Sequence, residues 1–127
     1  MVASQVNKKI LLVDDSETVL MLEQMILKGD CYELATAKDG REGVEKALTF
    51  RPDLILMDVV MPQMNGFEAI RQLRRHKETR FIPILIVTTK GEEQSMETGY
   101  VSGCSDYITK PIDSLELRTK IRSFLGA

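Results

Sequence analysis

Apolar residues are distributed along this chain in two alternating patterns. Consecutive apolar residues occupy positions 10–13, 54–57 and 82–87, with Pro83 weakening the start of the last run. Weaker runs lie at 32–37 and 106–109. Runs that are apolar at successive positions predict strands buried on both faces, as in a parallel sheet. The intervening segments have helical period. Residues 16–28 place Val19, Leu22 and Ile26 on one face, and Gly29 marks a stop. Residues 40–50 carry a stripe of Val44, Ala47 and Leu48, and residues 66–75 align Phe67, Ile70 and Leu73 opposite the arginines. Residues 113–125 place Leu117, Ile121, Phe124 and Leu125 together, with Asp113 and Glu116 as an N-terminal cap. Residues 92–102 form the weakest helical pattern, since Met96, Tyr100 and Val101 are its main apolar residues and Gly99 lowers its propensity.

The order is strand then helix, five times over. Such units join by right-handed crossovers and predict a three-layer, doubly wound α/β fold with a five-stranded parallel sheet. The 127 residues suffice for one domain, residues 1–127, with a core of its own. In open parallel sheets, ligands bind beyond the carboxyl ends of the strands. The residues just after each apolar run are therefore the ones to inspect.

Charge and composition remove several function classes. A net charge of −2 gives no global field for nucleic acid or an anionic membrane. The short cluster Arg71, Arg74, Arg75 and Lys77 reads as the wet side of a helix. No apolar run is long enough to span a bilayer, and no signal peptide is visible. Cys31 and Cys104 match no metal or redox spacing and read as reduced, partly buried thiols, with a bridge between them left open. His76 is the single histidine and is expected to be exposed, so histidine-based catalytic triads and multi-histidine zinc sites are excluded.

The strand ends carry the chemistry. The first ends in Asp14-Asp15, the third in Asp58, the fourth in Thr88-Thr89 and the fifth in Thr109-Lys110-Pro111. Three carboxylates gathered in one pocket repel one another, and a hard divalent cation removes that penalty. Oxygen ligands suit Mg²⁺, which keeps several waters and often shares its shell with a phosphate. A lysine supplies a compact positive charge for phosphate oxygens, and a threonine supplies a hydrogen bond. Each residue alone also has a plain reading. Asp14, Asp15 or Ser16 can cap the next helix, Asp58 can open a loop, Thr88 and Thr89 can be ordinary strand residues, and Lys110 can be a solvated lysine.

Four motifs, LLVDDS, LILMDVVMPQMNG, ILIVTTKG and DYITKPI, occur in this order over essentially the whole chain. Together they resemble the receiver domain of two-component response regulators, of the single-domain, chemotaxis-regulator-like kind. The resemblance implies a flavodoxin-like strand order 2-1-3-4-5. It makes Asp58 the phosphoacceptor for a histidine kinase, a phosphotransfer protein or a small phosphodonor. It assigns Asp14, Asp15, Asp58 and the backbone carbonyl of Val60 to Mg²⁺, with Asp14 acting mainly through bound water and Mn²⁺ as a substitute. Lys110 would pair with a phosphoryl oxygen, and a cis Lys110–Pro111 peptide would place it. Thr88 would be the switch hydroxyl and Tyr107 the switch aromatic. The switched, protein-binding face would comprise residues 92–102, the fifth strand and the last helix.

The same resemblance implies a cytoplasmic protein, monomeric or weakly dimeric, with a downstream protein target and no direct contact with nucleic acid or membrane. It would accept one phosphoryl group and slowly lose it rather than turn over as an enzyme. Three positions depart from the commonest pattern or vary in the family. Thr89 replaces the usual small alanine, while Val60 and Lys90 stand where the phosphoryl lifetime is influenced. The competing reading is a haloacid-dehalogenase-like aspartyl-phosphate phosphatase. Its DxD motif is absent, since Asp14 and Asp15 are adjacent and Asp58 is followed by Val59-Val60. A third reading is a receiver-like module that works without phosphate. The start at Met1 and the ending FLGA lead us to expect a stand-alone receiver rather than a piece of a longer regulator.

Overall fold

In a computed structural model of the protein the five apolar runs pair into one parallel sheet. The structure describes residues 7–59, 61, 64–89 and 103–126. The strands are β1 (Lys9–Val13), β2 (Glu33–Ala37), β3 (Leu54–Asp58), β4 (Ile84–Thr89) and β5 (Asp106–Lys110), in the spatial order β2-β1-β3-β4-β5. The described helices are α1 (Glu17–Leu27), α2 (Gly40–Phe50), α3 (Gly66–Arg75) and α4 (Ser114–Leu125), with a 3-10 turn at Lys28–Asp30. The weak helical pattern at 92–102 lies outside the described residues. Among the described residues no helix is long and apolar enough to cross a membrane.

Alternate residues of each strand point to opposite faces, so one sheet supplies two cores. Leu11, Val13, Ile55, Met57, Ile84 and Ile86 pack with α2 and α3 through Val44, Ala47, Ile70 and Leu73. Ile10, Leu12, Leu54, Leu56, Leu85, Val87 and Ile108 pack with α1 and α4 through Leu20, Leu27, Leu117 and Ile121. Each of the four described α-helices starts with a side chain accepting a main-chain N–H: Ser16 from Val19, Asp39 from Glu42, Asn65 from Glu68 and Asp113 from Glu116.

Register then aligns the strand ends. Val13 lies beside Met57, Asp58 beside Val87, and Thr89 beside Lys110. Asp14, Asp58, Thr88 and Lys110 thus collect at one edge of the sheet. The close approach of α3 to that edge depends on Gly66. Its N–H donates to Val59 O at 3.1 Å, and a Cβ there would lie 2.2 Å from Asp58 O. Backbone would have to move, so Gly66→Ala is expected to cost about 1–3 kcal/mol in urea unfolding. An unchanged midpoint would show that α3 shifts freely.

Several expectations need correction: Phe124 is exposed and does not share the inward face of Leu117 and Ile121, and Cys31 is exposed rather than the expected partly buried thiol. The inward face of α1 is Leu20, Glu23 and Leu27, while Leu22 is exposed. Arg74 is no solvated arginine. Its Nε donates to Gly103 O at 2.9 Å, and its Nη1 donates to Ile82 O at 2.7 Å and Arg80 O at 3.1 Å. Arg75, Lys77 and the neighbouring His76 are exposed. Cys31 is exposed, Cys104 is buried, and both are free thiols.

Candidate functional site

Each acidic residue reaches the site from a different local cause. Ser16 caps α1, with its hydroxyl 3.3 Å from Val19 N. Asp14 uses one oxygen, Oδ1, to accept the Ser16 N–H at 2.9 Å. Asp15 takes no part in that cap, and its side chain is exposed. Asp58 is the last residue of a strand buried along its whole length. Carboxylate oxygens of Asp14, Asp15 and Asp58 all lie within 4.8 Å of one another.

Lys110 answers two of the three. Its Nζ stands 3.5 Å from Asp14 Oδ2 and 3.5 Å from Asp58 Oδ1. At that distance the ammonium compensates charge without making a good hydrogen bond. Asp14 Oδ2 is accordingly buried with no hydrogen-bond partner among the described residues. The Lys110–Pro111 peptide is cis.

Electrostatics follow from this crowding. Burial first, and then the charge of Asp14, push the Asp58 carboxyl up to about 6 against the charge of Lys110. Burial also raises Asp14, against the hydrogen bond from Ser16 and the charge of Lys110. For Lys110 burial acts downward, but Asp58 and Asp14 outweigh it and hold the ammonium charged. The pocket therefore has more negative charge than one lysine can balance.

A hard cation fits that donor set. The observation is the orphaned Asp14 Oδ2, a buried acceptor in a cluster of oxygen ligands with no sulfur or imidazole in it. Thr88 is buried at the end of β4, one residue beyond the register partner of Asp58. Tyr107 lies in β5, farther from the carboxyl edge, paired with Ile86 and packed partly against the core that holds α2 and α3. Val60 and Lys90 lie outside the described residues.

One acidic residue escaped the sequence reading. Glu23 sits on the inward face of α1, 1 % exposed, with Oε1 lacking a hydrogen-bond partner among the described residues. Burial first, together with the charges of Asp14 and Asp58 and against that of Lys110, pushes its carboxyl up to about 8. The available signal was the surplus of apolar residues in 19–27. They cover more than one face of the helix, so apolar period alone could not choose which face turns inward.

Comparisons with known proteins agree with this geometry. The chain is 42% identical over 93% of its length to Protein PilH of Pseudomonas aeruginosa, and the match covers 98% of that protein. It is 42% identical over 94% of its length to the alkaline phosphatase synthesis transcriptional regulatory protein PhoP of Bacillus subtilis. There it spans only 49% of the relative, about half its length. Among solved structures, the receiver domain of a sensor histidine kinase from Pseudomonas aeruginosa superposes with a TM-score of 0.88 at 29% identity. That match covers 96% of this chain and 100% of the other, which holds a magnesium ion coordinated in its active-site cleft. The profile described as the response regulator receiver domain matches residues 10–122. Nearly the whole sheet, the strand-end carboxylates and Lys110 fall within that match, and the chain belongs to the response regulator receiver domain family of two-component signalling.

Proposed function

We propose that Asp58 is the phosphoacceptor of this receiver and that Asp14, Asp15 and Asp58 hold Mg²⁺ beside it. The observation that carries the reading is the meeting of three carboxylates with one lysine. Their oxygens lie within 4.8 Å of one another, and Lys110 Nζ stands 3.5 Å from two of them. A carboxylate oxygen of Asp58 attacks the phosphorus of a phosphohistidine or a small phosphodonor. The bond from phosphorus to the donor breaks as the new P–O bond forms, leaving an acyl phosphate. Lys110 faces the charge that builds on the phosphoryl oxygens, so catalysis is mainly positioning and electrostatics. Asp14, Asp15, Asp58 and the Val60 carbonyl would hold Mg²⁺, which would supply further neutralisation of that charge.

Phosphorylation exchanges one carboxylate for a group with more charge and more acceptor oxygens. Thr88 turns to donate to it, and Tyr107 follows into the space that Thr88 leaves. This biases an existing equilibrium between two conformers. The output face comprises residues 92–102, β5 and α4, and its target is a protein. The chain acts as a switch in the cytoplasm and not as a turnover enzyme. For the upstream encounter, Met21, Leu22 and Met25 expose apolar surface on α1, and Met21 and Met25 line a groove with Tyr32 and Leu34. That surface suits the helices of a histidine kinase or phosphotransfer protein.

The experiment is intact-mass analysis after incubation with acetyl phosphate, with Mg²⁺ and with excess chelator. One phosphoryl adduct per chain is expected with the metal and very little without it. An adduct that forms equally well under chelation would overturn the metal-assisted mechanism. No adduct at all would overturn the phosphoacceptor reading.

A further inference from the structure

Among the described residues β5 is an edge strand, paired with β4 on one side only. Open edges leave main-chain groups without a strand partner. Here two side chains serve the backbone of Tyr107. Its N–H donates to Asp106 Oδ1 at 2.7 Å, and its carbonyl accepts from Lys120 Nζ at 2.6 Å. The same ammonium lies 3.5 Å from Asp106 Oδ1 and 3.5 Å from Glu116 Oε2. It also stands over the Tyr107 ring, 4.8 Å from the centroid.

The route of this side chain is unusual. Lys120 belongs to α4, whose Leu117 and Ile121 pack in the core shared with α1. The Tyr107 ring packs against the other core, with α2 and α3. Lys120 therefore reaches round the open edge of the sheet from one layer to the other. Its charge is met by two carboxylates, a carbonyl and a ring face, which leaves the ammonium few other directions. A cation over an aromatic face favours the ring position that keeps it there.

We propose that Lys120 is a clasp across the edge of β5 that sets the resting position of the Tyr107 ring, and so sets how readily phosphorylation at Asp58 is felt on α4. The proposal rests on the switch reading given above. Lys120 is a positioning residue: it touches no reacting atom, and its effect passes through Tyr107. Moving the ring away breaks the cation–ring contact while the bond to the Tyr107 carbonyl stays. Loss of the ring contact alone is expected to change the ratio of ring positions about two- to fivefold.

The test uses the full chain carrying 3-fluorotyrosine, read by fluorine NMR. The chain has Tyr32, Tyr100 and Tyr107, and Tyr107→Phe assigns the relevant signal. Parent, Lys120→Met and Lys120→Arg are compared with and without Mg²⁺ and beryllofluoride, a phosphoryl mimic. Without the mimic, the Met variant's Tyr107 signal is expected to move toward the loaded position of the parent. The Arg variant, which keeps a cation, is expected to stay near the parent, and all three should take a phosphoryl group from acetyl phosphate. If the Met variant unfolds, Lys120→Gln replaces it under the same criterion. A parent that shifts with the mimic, alongside a Met or Gln variant that matches the parent in both states, overturns the clasp alone. A parent that takes neither phosphoryl group nor mimic overturns the switch reading, and the clasp with it.

Discussion

Asp58→Asn is expected to abolish the phosphoryl adduct and at the same time to stabilise the metal-free protein. The two effects have one origin. The carboxylate proposed to receive the phosphoryl group is the one that burial and Asp14 make costly to ionise. Its folded value of about 6 lies above the ordinary 3.8, so the folded state binds the proton more tightly than the unfolded chain. Stability is then full below about pH 4, falls as pH rises toward about 6, and is level above that. Asparagine keeps the shape of the side chain and removes this loss, which is on the order of 2 kcal/mol. In urea unfolding with chelator present, the variant should show a shallower fall between those pH values and a higher midpoint at neutral pH. In the presence of Mg²⁺ the order should narrow or reverse, because the parent gains from binding what the variant has lost. An adduct on the variant of the same mass and yield as on the parent would place the acceptor elsewhere. A variant less stable than the parent at neutral pH without metal would show that the pocket carries no net repulsion.

The second large effect belongs to Glu23. Glu23→Leu is expected to raise stability at neutral pH by roughly 2–4 kcal/mol, since a buried carboxyl with an unpartnered oxygen gives way to an apolar group on the inward face of α1. The sign again follows from the direction of the shift. Burial and the negative pocket lift the group from 4.5 to about 8. Its favourable, protonated form is present below about pH 4.5, and stability is lost progressively as pH climbs toward 8. The leucine variant should lack that slope. Glu23→Gln should also lack it but gain less, because it still buries polar atoms. Unfolding curves for the three proteins from pH 5 to 9 decide the matter. A leucine variant no more stable than the parent would mean that Glu23 is satisfied where it stands.

The strands were readable because a sheet covered on both faces writes itself as unbroken apolar runs. Ile10–Val13 and Leu54–Met57 had no competing interpretation. The candidate site was readable for a related reason: Asp14, Asp58 and Thr88 directly follow such runs, Lys110 follows the weaker strand candidate 106–109, and the direction of parallel strands does the gathering. What could not be read was which face of α1 turns inward. Val19, Leu20, Leu22, Ile26 and Leu27 cover too much of the helix for one apolar phase to win. The actual choice buries Leu20 and Leu27 at the cost of Glu23, a balance set by the neighbouring strands and α4. Arg74 was misread for the opposite reason. An arginine on a charged helix face looks solvated, and nothing local shows that backbone carbonyls will converge on it. The start of β4 shifted from residue 82 to Ile84 because Pro83 has no N–H to give to the ladder.

Arg74 also gives the molecule a mechanical polarity. Its guanidinium holds the carbonyls of Arg80 and Ile82, just before β4, together with that of Gly103, just before β5. Those two strands are thereby pinned where they enter the sheet, at the end opposite the acid pocket. A lengthwise slide of either strand would break these hydrogen bonds, whereas rotation or sideways displacement at the far ends would leave them intact.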